Sequence, residues 1–210
     1  MSACATSPGS MQGSASTSVN RAADPAYVAK ARADSIRHPY TQADVDFMSH
    51  MISHHAQALV MARMAPGHGA SPAIQRLASR IINAQNDEIA TMQTWLRDRL
   101  KPVPEADPRG MKMSMNGMEH VMLMPGMLTE SQMKELDAAR GAEFDRLFLT
   151  YMIQHHKGAV SMVKDLFGSY GAGQDETVFK FASDVNVDQS TEIQRMEKML
   201  AAITLGITVE

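Results

Sequence analysis

The stretch that decides the fold is Met51-Ile52-Ser53-His54-His55, because it returns in the second half of the chain as Met152-Ile153-Gln154-His155-His156. The repeat extends on both sides of the pentapeptide. A second repeated pattern lies downstream of each copy: Gln-x-x-Glu-Ile-x-x-Met occurs at 85–92 and again at 189–196. Asp44 and Phe47 precede the first copy at the spacing with which Asp145 and Phe148 precede the second. The chain therefore encodes one helical hairpin twice.

Length and charge narrow the class of protein. The chain has 210 residues, enough for one domain with a substantial core and flexible ends. Its 20 Lys and Arg residues against 23 Asp and Glu residues give a net charge of -3, without a basic block that would neutralise a phosphate backbone. Nucleic acid is therefore not an expected partner. The longest apolar runs fall well short of the ~20 residues that cross a bilayer, so no transmembrane helix is expected.

Residues 1–24 are poor in apolar side chains and rich in Ser and Gly, so we expect a flexible tether. The single Cys4 follows Ser2-Ala3 and precedes small residues, as at the end of a bacterial lipoprotein signal. Two interpretations stay open here. Cys4 carries a lipid anchor, with Met1 standing in place of a removed leader, or the segment is a plain disordered tail.

Turn and capping residues divide the remaining chain into helices. A short helical lead-in is expected over 25–40, followed by a bundle domain over 41–205. Thr41 is a predicted N-cap for a helix ending at Pro66-Gly67, and Ser71-Pro72 opens a second helix that runs to Leu100. A capping box at Thr129 and Gln132 opens a third helix, expected to continue to Gly168. A fourth runs from about Asp175 to Leu205. Strand signals are almost absent.

A helical wheel separates the two histidines of each copy. At 100° per residue, His55 and His156 lie at the centre of the apolar face, whereas His54 and His155 lie at its edge. Gln85 falls on the apolar face of the second helix, as Gln189 does on that of the fourth. If the four helices close into an antiparallel bundle, these polar groups form a layer in an otherwise apolar core.

Two explanations for this layer stay open. Buried imidazoles and amides need partners, so the histidines and glutamines could form a hydrogen-bonded layer that fixes the register of the helices. Alternatively, a thioether and an imidazole one turn apart present soft ligands to the same ion, which suits Cu(I) better than calcium or magnesium. The candidate ligands in the helices are Met48, Met51, His54, His55, Met152, His155 and His156. The edge histidines His54 and His155 are expected to be the easier pair to metallate.

His50 and His54 form another i, i+4 pair, suited to Zn(II) or Cu(II), but the second copy has Tyr151 in place of His50. We therefore expect His50 to be a solvated surface residue. Neither the Glu-x-x-His motifs of di-iron bundles nor the zincin His-Glu-x-x-His motif occurs in the sequence. An enzyme is not expected, and redox chemistry at core-bound copper or iron is disfavoured.

The linker over 101–128 contains the most specific signal. Seven methionines and a histidine fall within 17 residues, among glycines and a proline that break helical periodicity. Thioethers in an exposed loop gain little from burial, so metal binding explains them better than packing. Such a loop can fold around Cu(I) and release it again. The candidate ligands are Met111, Met113, Met115, Met118, His120, Met122, Met124 and Met127.

The duplicated Met-Ile-x-His-His, the Gln-x-x-Glu-Ile-x-x-Met after each copy, and the passages 124–127 and 144–149 resemble the bacterial domain-of-unknown-function family 305. The resemblance covers about residues 41–204. It implies a ferritin-like four-helix bundle and export to the periplasm or cell surface. For the copper-handling members of that family, it also implies copper binding that supports tolerance.

The sequence thus predicts an all-α protein, an antiparallel, ferritin-like four-helix bundle made of two duplicated hairpins joined by a Met-rich loop. We expect an exported copper-binding protein, periplasmic or extracellular, with a lipid anchor at Cys4 as one of the two alternatives for its N-terminal segment. It would hold Cu(I) in preference to Cu(II) and hand it to a periplasmic transfer partner. The alternative is a structural or partner-binding bundle without metal, in which the histidines form a hydrogen-bonded core and the Met-rich loop is an adaptable contact surface.

Overall fold

The computed structural model describes residues 24–37, 39–115 and 118–207, and this part of the chain is mostly helical. Its helices and strands are α1 Pro25–Arg37, α2 Gln42–Met64, α3 Pro72–Asp98, β1 Met111–Met115, β2 Met118–Met122, α4 Glu130–Ala138, α5 Gly141–Gly168 and α6 Glu176–Thr204. A 3-10 turn over Ala65–His68 follows α2. The predicted tether, apart from its last residue, and the anchor at Cys4 lie outside the described residues.

The helix starts lie where the capping residues predict them. Thr41 and Asp44 form a reciprocal capping box at the start of α2, and the Ser71 side chain accepts a hydrogen bond from the Ile74 amide at the start of α3. Thr129 and Gln132 form a second capping box, at α4. A cap of this kind contributes about 1 kcal/mol by satisfying amides that have no partner within the helix.

The prediction of one helix from Thr129 to Gly168 is wrong, because the chain breaks between α4 and α5. Ala139 and Arg140 are extended, with ψ values of 152° and 153°. Gly141 then adopts a φ of +56°, in the left-handed region that glycine enters without steric cost. The helix therefore changes direction here, and α4 packs against α2 and α5 as a separate short segment.

The prediction of an irregular loop between the two halves is also wrong. Residues Met111–Met115 and Met118–Met122 pair as an antiparallel hairpin, with Met111 opposite Met122, Met113 opposite His120 and Met115 opposite Met118. An alternation of period 2 is the pattern of a strand, and the spacing Met-x-Met-x-Met has that period. The feature that argued against a helix was therefore a positive signal for a β-ribbon.

The core lies between two helical hairpins. α2 packs on α3, α5 packs on α6, and the two pairs meet mainly through α2 and α5. Sixteen of the 23 residues of α2 are buried, so this helix has almost no solvent-facing side. The duplicated histidines therefore lie on the two helices at the centre of the assembly.

The duplicated aspartates connect one hairpin to the other. The Gly173 amide, in the turn between α5 and α6, donates to Asp44 Oδ1 of α2 at 2.7 Å. In the equivalent position, the Ser71 amide between α2 and α3 donates to Asp145 of α5 at 3.2 Å. Each central helix thus holds the connecting turn of the opposite hairpin, which explains why both aspartates belong to the repeat.

No helix in the described ranges is long and apolar enough to cross a membrane.

Candidate metal centre

A row of four imidazoles crosses the centre of the molecule. The ring centroids of His54 and His155 are 3.8 Å apart, His55 lies 6.1 Å from His54, and His156 lies 6.2 Å from His155. All four residues have no exposed surface. The placement of His55 and His156 in the core is confirmed, but the placement of His54 and His155 at an accessible edge is wrong.

The segment that follows the hairpin covers the side of α2 that the helical wheel assigned to the edge. Gln57 of α2 donates from Nε2 to the Leu128 carbonyl at 3.0 Å, and the Leu128 amide donates back to its Oε1 at 2.6 Å. A Cβ added to Gly158 of α5 would lie 1.9 Å from the Pro125 carbonyl oxygen. Only glycine permits this close approach of the segment to α5. Because the wheel considered helices alone, it could not include this cover.

The two central imidazoles donate to backbone carbonyls. His54 Nε2 lies 3.0 Å from the Pro125 carbonyl oxygen, and His155 Nε2 lies 3.0 Å from the carbonyl oxygen of His54. A carbonyl only accepts, so in the neutral rings the proton is on Nε2 and Nδ1 carries a lone pair. Burial lowers the pKa of His54 to about 3 and lowers that of His155 well below its ordinary value. Both rings are therefore neutral at physiological pH.

The two outer imidazoles meet carboxylates of the packed helices. His156 Nε2 donates to Glu192 Oε2 at 2.7 Å. His55 Nε2 lies 2.7 Å from Glu88 Oε2, although the ring is not aligned for a hydrogen bond. The expectation that Gln85 and Gln189 would partner these histidines is not supported by the contacts. The signal for the glutamates was present, since Glu88 and Glu192 occupy the same place in the repeated Gln-x-x-Glu.

Several buried polar atoms of the four central helices have no hydrogen-bond partner in the described part of the chain. They include Nδ1 of all four histidines, both side-chain polar atoms of Gln85, and Oε1 of Gln189. A metal-binding histidine normally donates its other ring nitrogen to a carbonyl or a carboxylate, and the contacts of His54, His155 and His156 have this form. These three histidines thus have the arrangement of metal ligands, with one ring nitrogen hydrogen-bonded and the other free. A buried nitrogen without a hydrogen bond or a bound ion costs free energy.

The geometry does not gather these groups around one point. Across residues 24–37, 39–115 and 118–207, no three His, Cys, Asp or Glu side chains form a group that could hold a metal ion. Met48, Met51 and Met152 have no exposed surface either. An ion would therefore reach the predicted Met/His sites of the core only if the helices moved.

The hairpin brings together a second set of candidate ligands. Residues directly opposite each other in an antiparallel pair lie on the same face, and alternate residues return to that face. The register therefore places six positions together on one side of the ribbon, and His120 and Met122 are exposed there. Five of the six are methionine and one is histidine: Met111, Met113, Met115, Met118, His120 and Met122.

The last two methionines of the linker do not belong to this ribbon. Met124 and Met127 are only 4% and 5% exposed and pack in the core beside Phe47 and Met162. The Met124 amide donates to the sulfur of Met127 at 3.3 Å. The expectation that all seven linker methionines lie in an exposed loop is therefore wrong for this pair, because the segment turns back under the hairpin to cover α2.

His50 lies on the rim of a surface groove and is half-buried, so the expectation of a solvated residue is only partly met. Burial lowers its pKa, against the opposing effect of the Asp46 carboxylate. In the His50–His54 pair, Nε2 of His54 already contacts the Pro125 carbonyl, so only its Nδ1 is left as a ligand atom. At the equivalent position of α5, the Tyr151 hydroxyl donates to Glu135 of α4, which raises the pKa of Tyr151 to about 12.

The comparisons with known proteins agree with the duplicated motif. The family described as "Domain of unknown function (DUF305)" matches residues 44–200. Among curated proteins, none matches the chain significantly. The chain is similar to the "putative secreted protein DUF305" of Streptomyces coelicolor, with 29% identity, a TM-score of 0.64, and coverage of 80% of this chain and 96% of that one.

A second similar structure is CopM in its Cu(II)-bound form, with 31% identity and a TM-score of 0.57. That match covers 75% of this chain and 95% of CopM. The Cu(I)-bound form of CopM also matches, with 29% identity, a TM-score of 0.55, and coverage of 74% of this chain and 94% of that one.

Proposed function

The chain belongs to the DUF305 family, and from this premise we propose that it is an exported copper-binding protein that captures Cu(I) on its methionine hairpin. The observation that carries the proposal is the register of that hairpin. Each opposite pair on its ligand face joins two metal-binding residue types, Met111 with Met122, Met113 with His120, and Met115 with Met118.

Cross-strand neighbours of this kind have Cβ atoms about 5 Å apart, close enough for two side chains to bind one ion. Thioethers favour Cu(I), whereas the imidazole of His120 also accepts Cu(II). Sulfur ligands of methionine carry no proton to displace at neutral pH, so capture needs no change in protonation. An exposed ribbon of few contacts can also release the ion, which suits transfer to a periplasmic partner better than permanent storage.

We propose that the buried row of four histidines is a second metal-binding region, in addition to the hairpin. The unpartnered Nδ1 atoms of His54, His55, His155 and His156, with Met48, Met51 and Met152 on the same two helices, supply a second and more rigid set of ligands. The complete burial of these side chains makes exchange at this set slower than at the hairpin. The missing carboxylate motifs favour binding and transfer over catalysis.

We also propose that the protein is a ferritin-like four-helix bundle, that it is exported, and that a lipid on Cys4 anchors it. The contacts of α2 with α3 and α5, and of α5 with α6, support a ferritin-like four-helix bundle. The secreted neighbour from Streptomyces coelicolor supports export to the periplasm or the cell surface. A lipid on Cys4 would hold the protein at the membrane. Detergent partitioning of the wild type against Cys4→Ser tests this anchor, which is excluded if both partition alike.

The test of copper capture compares two sets of methionine replacements. In the hairpin variant, Met111, Met113, Met115, Met118 and Met122 are changed to Leu and His120 to Gln. The control changes three buried methionines, Met61, Met92 and Met196, to Leu, which keeps side-chain volume in the core. Both proteins are titrated with Cu(I) under anaerobic, reducing conditions.

We expect the hairpin variant to lose most of its Cu(I) equivalents and the control to keep them. Equal binding by the hairpin variant and the wild type would remove the hairpin from the proposal. If neither the wild type nor the control binds Cu(I), the copper function itself is wrong, and the metal-free interpretation as a structural or partner-binding protein takes its place.

A further inference from the structure

The surface groove beside His50 lies between the two central helices and the segment that follows the hairpin. It has a volume of about 270 Å³, and α2, α5 and residues 124–125 form its walls. The residues in it that can bind metal are His50, Met124 and Met162, and the carboxylates of Asp46 and Asp165 lie in the same lining. The groove therefore combines one imidazole, two thioethers and two negative charges.

This ligand set selects for a soft ion. An imidazole with two thioethers suits Cu(I) and Ag(I), whereas Zn(II) and Ca(II) favour sites with more nitrogen or oxygen ligands. The carboxylates do not complete a harder site, since in the described part of the chain His50, Asp46 and Asp165 do not form a metal-binding group. Their charges instead attract cations toward the groove.

The His50 imidazole is available as a ligand. It makes no hydrogen bond to any residue that the structure describes, although it is half-buried. The duplicated half shows what a structural residue at this position does, because Tyr151 donates its hydroxyl to Glu135 and α4 lies against it. Met61, the counterpart of Met162, has no exposed surface, whereas Met162 keeps 8% of its surface exposed in the lining of the groove. His50 thus lines a groove, whereas Tyr151 at the equivalent position makes a closed contact.

The groove also lies next to the proposed capture site. Met124 follows the last residue of β2 by two positions, and Met111 at the start of β1 packs against the hydrophobic cluster that contains Met124 and Met162. An ion that leaves the base of the hairpin therefore has soft ligands within a short distance.

We infer that this groove is a second Cu(I) site, in which His50, Met124 and Met162 hold an ion passed on from the hairpin. The inference rests on the proposed function, because it names another place where the same ion is bound. It differs from the core sites, since it lies in a surface groove where Met124 and Met162 keep 4% and 8% of their surface exposed, and it uses none of the four central histidines.

The hairpin variant provides the background for the test, since it keeps all three groove residues. We expect it to retain one equivalent of Cu(I) or Ag(I). Adding His50→Ala and Met162→Leu should weaken that remaining binding by at least ~10-fold, the effect of losing even an outer partner of a metal ligand. The matched control adds the equivalent changes in the second half, Tyr151→Phe and Met61→Leu, and should retain the ion.

A direct measurement does not depend on stoichiometry. In carbon-13 spectra of the hairpin variant with labelled methionine methyl groups, Ag(I) should shift the signals of Met124 and Met162 and leave that of Met61 in place. If Met162→Leu prevents folding, His50→Ala alone in the same background gives the affinity comparison, because this side chain is half-buried and makes no hydrogen bond to a described residue.

The outcomes separate the two proposals. If the wild type binds Cu(I) and the hairpin variant binds none, the groove site is wrong and the copper function stands. If the retained ion is indifferent to His50→Ala, or if only the control variant loses it, the groove site is also wrong. If the wild type binds no Cu(I), the copper function fails, and the groove site fails with it.

Discussion

The methionine hairpin and the buried histidine row contain the same kinds of ligand in opposite environments. His120 and Met122 are exposed on a two-stranded ribbon, whereas His54 and His155 are fully buried between two central helices. The ribbon makes few contacts with the core, while every histidine of the row contacts a carbonyl or a carboxylate. Burial, more than residue type, therefore separates ligands that can exchange an ion from polar groups that hold the fold together.

The largest expected effect comes from the segment that joins these two regions. In Gly158→Ala, the new Cβ would lie 1.9 Å from the Pro125 carbonyl oxygen, so the segment must leave α5 and the His54 hydrogen bond is lost. We expect the free energy of unfolding to fall by about 3 kcal/mol, at the upper end of overpacking costs. Denaturant unfolding measures it. Gly168→Ala is the control, since nothing lies within 4 Å of its added Cβ. Equal stability of both variants would show that the segment is not held against α5.

A second expected effect is a loss of stability in acid that originates in the histidine row. The pKa of His54 is about 3 in the folded protein, and that of His155 is also depressed, against 6.5 in the unfolded chain. Below pH 6.5 the unfolded state therefore binds more protons than the folded state. The contribution of these two histidines to the free energy of unfolding is fully present above pH 6.5. It declines as the pH falls toward 3, by up to ~1.4 kcal/mol per pH unit for each histidine.

Denaturant unfolding at several pH values between 7.5 and 4.5 measures this slope. His155→Gln removes one of the two buried imidazoles, so its slope should be smaller than that of the wild type, whatever its stability at pH 7.5. His120→Gln changes an exposed histidine of the hairpin and should leave the slope as it is. A slope unaffected by His155→Gln would mean that the row does not take up protons on unfolding.

The smallest expected effect is that of the hairpin variant on stability without metal. The Met to Leu changes conserve side-chain volume, so the free energy of unfolding should change by less than about 1 kcal/mol. The difference appears when Ag(I) is added. A ligand at 100 times its dissociation constant stabilises the folded protein by about 2.7 kcal/mol. Thermal unfolding should show a larger gain in the wild type than in the variant, which has lost the hairpin ligands and keeps those of the groove. The same gain in both would place the principal metal site outside the hairpin.

Local signals predicted the helices well. Thr41, Ser71 and Thr129 cap the helices that they were predicted to cap, because a cap depends on a few consecutive residues. The two corrections in this part of the fold have the same origin. The left-handed Gly141 and the period-2 methionines are also local signals, but a helical interpretation of the flanking residues concealed them.

The environment of the candidate sites was less predictable, because it depends on contacts between distant residues. His54 is buried by Pro125, and His155 donates to a carbonyl that lies 101 positions earlier in the chain. A helical wheel contains no information about either contact. The duplicated Glu88 and Glu192 were visible as part of a repeat, but their role as partners of His55 and His156 follows only from how the helices pack.

The duplicated hairpins also determine the order in which the molecule can fold. Contacts of α2 with α3, and of α5 with α6, join helices connected by short turns, so their loops close at a low entropic cost. Contacts between α2 and α5, and the hydrogen bonds of Asp44 and Asp145 to the opposite turns, join residues far apart in sequence. Such contacts form late, because a long loop must close before they are made. We therefore expect the histidine row to be assembled late in folding, when the two hairpins pack against each other.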